Sequence, residues 1–157
     1  MKNSLKSVLF FGILISLFDQ AVKVILSDKL ALNNTIVLIK DLFKLTLVHN
    51  EGAAFSILSD NRIFLIAIGV FALLLISVYV NTRDNQTDFD IFTHSLLVGG
   101  ILGNVIDRIV RGYVIDYISF SFGKFSFPVF NLADVCIVAS IILIILKTIK
   151  EDTWNDL

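Results

Sequence analysis

Four stretches of this chain are apolar over close to the length of a membrane-spanning helix, which takes about 20 residues. They cover about 7–26, 63–80, 91–110 and 130–146. The second carries no charge and no amide side chain. The first is interrupted by Asp19, Gln20 and Lys23, the third by His94, Asn104, Asp107 and Arg108, and the fourth by Asn131 and Asp134. An ionisable group at the centre of a span costs about 2.5–3.5 kcal/mol on insertion scales, so a chain keeps one only where it faces a partner or a polar cavity. The bulk composition agrees with an integral membrane protein of one domain. Of 157 residues, 56% are hydrophobic and 17% charged, and the mean hydropathy is +0.85. Thirteen basic residues against fourteen acidic ones form no basic tract of the kind nucleic acid requires, and no acidic tail. The single cysteine, Cys136, excludes an internal disulfide and a cysteine-rich metal site.

Four spans put both termini on one side. Lys2 and Lys6 at the start and Lys147 and Lys150 at the end mark that side as cytoplasmic. The loops contribute nothing to this assignment: Lys29, Lys40, Lys44, Arg111 and Lys124 fall outside, and Arg83 inside. Lys2 and Lys6 ahead of an apolar run also suit a secretory signal peptide. However, Asp19, Gln20 and Lys23 stand where a small-residue cleavage site belongs, so the segment reads as an uncleaved first helix. Two outer loops hold strand formers. In the first, Ile36–Ile39 and Leu42–Val48 flank a polar Lys40-Asp41 break. In the second, Phe120-Ser121-Phe122 and Phe125-Ser126-Phe127 alternate around Gly123-Lys124. The expected fold is an all-α membrane protein: four transmembrane helices with a small extracytoplasmic β-sheet.

The polar residues within the spans converge. Asn104, Asp107 and Arg108 sit at i, i+3 and i+4, and Asn131 and Asp134 at i and i+3, which places each set on one helix face. In the four-span arrangement these residues and Asp19 come to one depth, just under the outer surface, with Asp116 hanging over the same spot. Each has a plainer reading. Asp107 and Arg108 can close a helix end as an ion pair, Asp19 and Lys23 can neutralise one another locally, and Asn104 and Asn131 can join helices. Gly99, Gly100 and Gly103 suit close helix packing, and Cys136 suits an apolar filler. Two carboxylates sharing one site hold one proton between them, so that one is an acid and the other a base at the same pH. Such a pair activates water without a metal. The sequence has no Gly-x-Ser, no His-Glu-x-x-His and no Gly-x-Gly-Asp, which removes the motifs of several other intramembrane hydrolases.

Four blocks resemble the lipoprotein signal peptidases, the type II signal peptidases. They are Asp19-Gln20-Ala21-Val22-Lys23, Asn50-Glu51-Gly52-Ala53-Ala54-Phe55, Gly103 through Tyr117, and Phe130-Asn131-Leu132-Ala133-Asp134. They cover all four spans in order. Tyr117 stands where phenylalanine is expected. The resemblance implies an aspartyl endopeptidase with Asp116 and Asp134 as the catalytic pair. Asn104, Arg108 and Asn131 then line the site, with Asp19, Asn50, Gly52 and Asp107 supporting it or binding substrate. The implied substrate is a diacylglyceryl-modified prolipoprotein, cut just before its lipidated cysteine in the bacterial inner membrane. No cofactor is implied, and the partners are that substrate and membrane lipid. Asn50 can offer a donor and an acceptor to a bound peptide. A proton-coupled transporter subunit and a non-catalytic assembly subunit are the alternatives. The former needs polar groups near the midplane, and the latter does not require both Asp116 and Asp134.

Two separated histidines and one cysteine offer no zinc-binding set. Cleavage of a diacylglyceryl prolipoprotein should therefore be unchanged by EDTA or phenanthroline. A loss of rate that added metal restores contradicts the two-carboxylate scheme.

Overall fold

A computed structural model describes residues 2–52, 61–123 and 125–155. Within them lie four helices, α1 (Lys2–Lys29), α2 (Arg62–Thr82), α3 (Asp88–Val110) and α4 (Leu132–Asn155). Strands β1 (Thr35–Ile39) and β2 (Phe43–Asn50) separate α1 from α2, and β3 (Val114–Phe122) and β4 (Phe125–Ser126) separate α3 from α4. Each helix is long and apolar enough to cross a membrane. The shortest has 21 residues, about 30 Å at 1.5 Å per residue. The helices outrun the apolar stretches because backbone hydrogen bonding continues into polar ends such as Lys2–Lys6. α4 instead starts at Leu132, because Phe130 is held in a β-bridge with Ile118.

α3 is the central helix. It packs on α1, α2 and α4, and 56% of its spanning window is buried against 6% for α2. The burial follows from its small and polar residues, since lipid already solvates apolar side chains and tight association needs close backbone approach. A Cβ on Gly99 would come within 2.6 Å of Ile15 and 2.9 Å of the Gly12 carbonyl oxygen, and one on Gly100 would strike the Ala133 carbonyl and Ile137. The glycines are therefore packing residues. α2, almost wholly apolar, points Phe64, Phe71, Leu74 and Val78 outward. At its start α3 carries a capping box in which Thr87 and Asp90 exchange hydrogen bonds. Asp90 also pairs with Lys147 of α4.

The strands form one antiparallel sheet of order β1-β2-β3-β4. Asn50 pairs with Val114, Val48 with Asp116 and Phe43 with Phe120. β3 begins at Val114, well before the visible alternation at Phe120. Both of its faces are buried at the start, so Val114–Ile118 shows no apolar–polar alternation. Asp116, expected to hang over the site, is carried there by the start of this strand. Gly112, at φ +92°, makes the turn from α3 into β3, a backbone state that glycine adopts at no steric cost. Leu30, Leu47, Ile115 and Tyr117 form a buried cluster that seats the sheet on Val22, Leu26 and Leu132. Ala53, Ala54 and Phe55 of the second block, and Lys124 of the second turn, lie outside the described residues.

Gly100→Leu should destabilise the protein by about 1–3 kcal/mol or more, because backbone stands in its way. Leu74→Ala on the outward face of α2 should change stability by about 0.5 kcal/mol or less. Thermal unfolding in detergent measures both, and equal effects contradict this packing.

Candidate active site

The site forms where α4 begins. Asn131 Oδ1 accepts from the Asp134 amide at 3.0 Å, and Asp134 Oδ2 accepts from the Asn131 amide at 3.1 Å. This is a capping box with asparagine at the cap and aspartate three residues in. It fixes one oxygen of Asp134. The other oxygen, Oδ1, accepts from Asn104 Nδ2 of α3 at 2.7 Å. Local helix-capping chemistry and one interhelical bond thus place this carboxylate.

Asp116 is held from both sides. Asn131 Nδ2 donates to its Oδ1 at 2.7 Å and Asn50 Nδ2 to its Oδ2 at 2.9 Å. Asn131 therefore touches both carboxylates, and it also donates to Asn104 Oδ1 at 3.2 Å. Asp116 is 2% exposed. Burial pushes its carboxyl up to about 6, the charge of Asp134 adds to the rise, and the donors Asn50 and Asn131 oppose it.

Behind this pair lies a buried ionic cluster. Lys23 Nζ is 2.7 Å from Asp19 Oδ2 and 2.7 Å from Asp107 Oδ2, and all three residues are fully buried. The Asp19–Lys23 pair is thus not merely local. Asp19 Oδ1 accepts from the Ala133 amide of α4 at 3.1 Å, and Asp107 Oδ2 from the Ile115 amide of β3 at 3.2 Å. Gln20 Nε2 donates to Asp107 Oδ1 at 3.0 Å, and Arg111 pairs with the same carboxylate. Gly103 leaves room for the Asp19 carboxylate, which a Cβ there would approach to 2.7 Å. Asp107 and Arg108 do not pair with each other. Asp107 turns to α1, while Arg108 Nη2 donates to the Gly52 carbonyl at 2.7 Å and Nη1 to the Asn104 carbonyl at 3.2 Å.

The carboxylates open on a cavity of about 570 Å³. Asn50, Asn104, Arg108, Asp116 and Asp134 line its polar end. Phe127, Pro128, Val129 and Phe130 form a rim, and Val135, Val138 and Ile142 carry an apolar wall along α4. From Asp134 to Ile142 that wall is about 12 Å long. An apolar cleft with a few convergent polar groups has the form of a ligand site.

Of the residues singled out from sequence, Asn50, Asn104, Arg108, Asp116 and Asp134 reach the cavity, and Asn131 joins them from behind. Asp19 and Asp107 stand one layer back. Asn50 is less available to a peptide than expected, since its Oδ1 accepts from the Gly52 amide at 3.0 Å. Gly52 in turn anchors Arg108. The sequence reading missed Gln20 and Arg111 as supports, and it missed the Tyr117 hydroxyl, which accepts from the Leu132 amide at 3.2 Å. Gln20 sits beside Asp19 in a span, a signal that was available. Arg111 reads only as a helix-end charge.

Residues 11–150 match the family model described as signal peptidase (SPase) II. The lipoprotein signal peptidase of Clostridium tetani is 37% identical over 150 residues, 95% of this chain and 94% of that one. Its counterpart from Halothermothrix orenii is 39% identical over 144 residues, 92% and 96% of the two chains. A bacterial membrane enzyme solved by the in meso method at 2.3 Å superposes with a TM-score of 0.87 at 30% identity, covering 97% of this chain and 92% of that one.

The folded protein holds the Asp116 proton more tightly than the unfolded chain does. Asp116 therefore adds stability below its ordinary value of 3.8, and that stability is lost as pH rises through about 6. The difference in unfolding free energy between wild type and Asp116→Asn should shift against wild type by up to roughly 3 kcal/mol from pH 4 to pH 8. Denaturation across that range checks it, and a difference that stays flat contradicts the assignment.

Proposed function

This chain belongs to the signal peptidase II family, multi-pass membrane peptidases that remove signal peptides from prolipoproteins, and from that premise we propose that Asp116 and Asp134 are its catalytic pair. The observation that carries this reading is Asn131. It hydrogen-bonds both carboxylates at once and leaves them facing one cavity. In the proposed cycle one carboxyl holds a proton and the other is ionised. The ionised group takes a proton from a water molecule as its oxygen attacks the scissile carbonyl carbon. The protonated group gives its proton to the carbonyl oxygen. The tetrahedral diol then collapses: one of its hydroxyls returns a proton to the carboxylate that had given one, the C–N bond breaks, and the proton taken from water passes to the leaving nitrogen. No metal and no covalent intermediate take part. The pair titrates as a unit.

The substrate in this reading is a prolipoprotein whose cysteine already bears diacylglycerol, and the cut falls just before that cysteine. The apolar wall along Val135, Val138 and Ile142 suits acyl chains, and the polar end suits the peptide backbone. Arg108, anchored by the Gly52 carbonyl, brings a positive charge to both carboxylates. We place the protein in the bacterial inner membrane, with both termini cytoplasmic and the site just below the outer surface. The terminal lysines support that orientation. Since the site lies where α3 ends and α4 begins, a substrate anchored in the outer leaflet reaches it without crossing the bilayer. The whole chain acts as one protease domain.

Asp116→Asn and Asp134→Asn should each lower the cleavage rate on the order of a hundredfold or more, while both variants still insert and melt cooperatively. The assay is the mobility shift of a diacylglyceryl-modified prolipoprotein with purified protein. Near-normal turnover in either variant removes that aspartate from the pair.

A further inference from the structure

Lys23 takes no part in the proton transfers above and does not line the cavity. It is nonetheless fully buried, and the three hydrogens of an ammonium all need acceptors once water is gone. Two go to Asp19 Oδ2 and Asp107 Oδ2. The third faces Asn104 Oδ1 at 3.4 Å. The two ends of an asparagine amide are alike in size, and only their bonding decides which way it faces. Asn104 Oδ1 lies between two donors, Lys23 Nζ and Asn131 Nδ2, so its Nδ2 is left to Asp134. Turned over, Asn104 would set its NH₂ against an ammonium and another NH₂, and its oxygen against a carboxylate.

We propose that Lys23 is a positioning residue for the two-carboxylate site: its buried ammonium fixes the Asn104 amide with the nitrogen toward Asp134. The inference rests on the catalytic-pair reading. The ionisable groups around Lys23 and its two carboxylates are Asp19 from α1, Asp107 and Arg111 from α3, Asp116 and Tyr117 from β3 and Cys136 from α4. Arg108, Asp116 and Tyr117 surround Asp134. Loss of Lys23 frees Asn104 to turn, and the carboxylate beyond it loses a donor. The ionised form of the pair is then harder to reach.

The test uses the full chain in detergent with a diacylglyceryl-modified prolipoprotein peptide. Lys23→Met combined with Asp19→Asn removes one cation and one anion together. The expected result is a kcat about tenfold lower at unchanged KM, with the acidic limb of the pH profile moved up by roughly one unit. In an Asn104→Ala background the same pair of changes should add nothing further, because both act through one amide. A wild-type pH profile, or losses that multiply in the two backgrounds, overturns the proposal. If the double variant does not fold, the intact protein with isotope-labelled lysine gives the answer. The protected ammonium signal of Lys23 must move on Asn104→Ala, and an unmoved signal overturns the proposal. Asp116→Asn and Asp134→Asn run alongside. Turnover in either defeats the catalytic-pair reading itself, whereas two dead variants beside a wild-type Lys23 profile defeat only the role of the lysine.

Discussion

A single buried ammonium holds together the elements that carry the site. Lys23 on α1 binds Asp19 on its own helix and Asp107 on α3. Each carboxylate then reaches one element further, Asp19 to the first turn of α4 and Asp107 to the start of β3. α4 bears Asp134 and β3 bears Asp116. Four elements from distant parts of the sequence are therefore registered by one ionic cluster. Burying these charges is costly, and removing one partner of such a pair commonly costs about 3–5 kcal/mol because the other stays buried and unpaired. An apolar replacement of the whole cluster could fill the same space, but it would fix neither the Ile115 amide nor the Ala133 amide. What the cluster supplies is placement.

The division of labour between polar and apolar residues follows from lipid as solvent. α2 is the most apolar helix and the least buried, while α3 holds more polar and small residues and is the most buried. Outward-facing Phe10, Phe18, Phe71 and Leu74 would be a liability in water. In a bilayer they cost nothing, and the interior is left to groups that bond one another. Asn104, Asp107 and Asn131 are all buried, and each has named partners. Even away from the site the pattern holds, with Ser140 donating to the Thr93 carbonyl between α4 and α3.

Much of this was legible in the sequence. The four spans, the strand-forming loops and the meeting of Asn104, Arg108, Asn131 and Asp134 follow from apolar run length and helical spacing. Spacing gives a face and does not give a partner. It put Asp107 and Arg108 together, yet Asp107 turns to Lys23 and Arg108 to Gly52, contacts made across chain separations that no local pattern records. It also gave no sign that Asp116 lies in a strand, because a strand buried on both faces shows no period of two. The resemblance to a family supplied the pairing of Asp116 with Asp134, which composition and periodicity alone had left open.

The first turn of α4 shows why the chain brings these groups together at this spot. A helix start leaves its first amides without intrahelical partners, and in a membrane protein each one must find an acceptor within the protein. The Leu132 amide donates to the Tyr117 hydroxyl, the Ala133 amide to Asp19, and the Asp134 amide to Asn131. The Val135 amide is the first to bond within the helix, to the Asn131 carbonyl. The acceptors come from β3, α1 and the cap residue itself, so satisfying one helix end forces three parts of the chain into register beside Asp134. Tyr117 stands where the resemblance leads one to expect phenylalanine, and its hydroxyl is the group that closes this set. A phenylalanine there keeps the ring in its buried cluster with Leu30, Leu47 and Ile115 but leaves the Leu132 amide to find another acceptor. The tyrosine therefore bears on how the end of α4 is satisfied, at an amide two residues before Asp134, and leaves the carboxylates as they are.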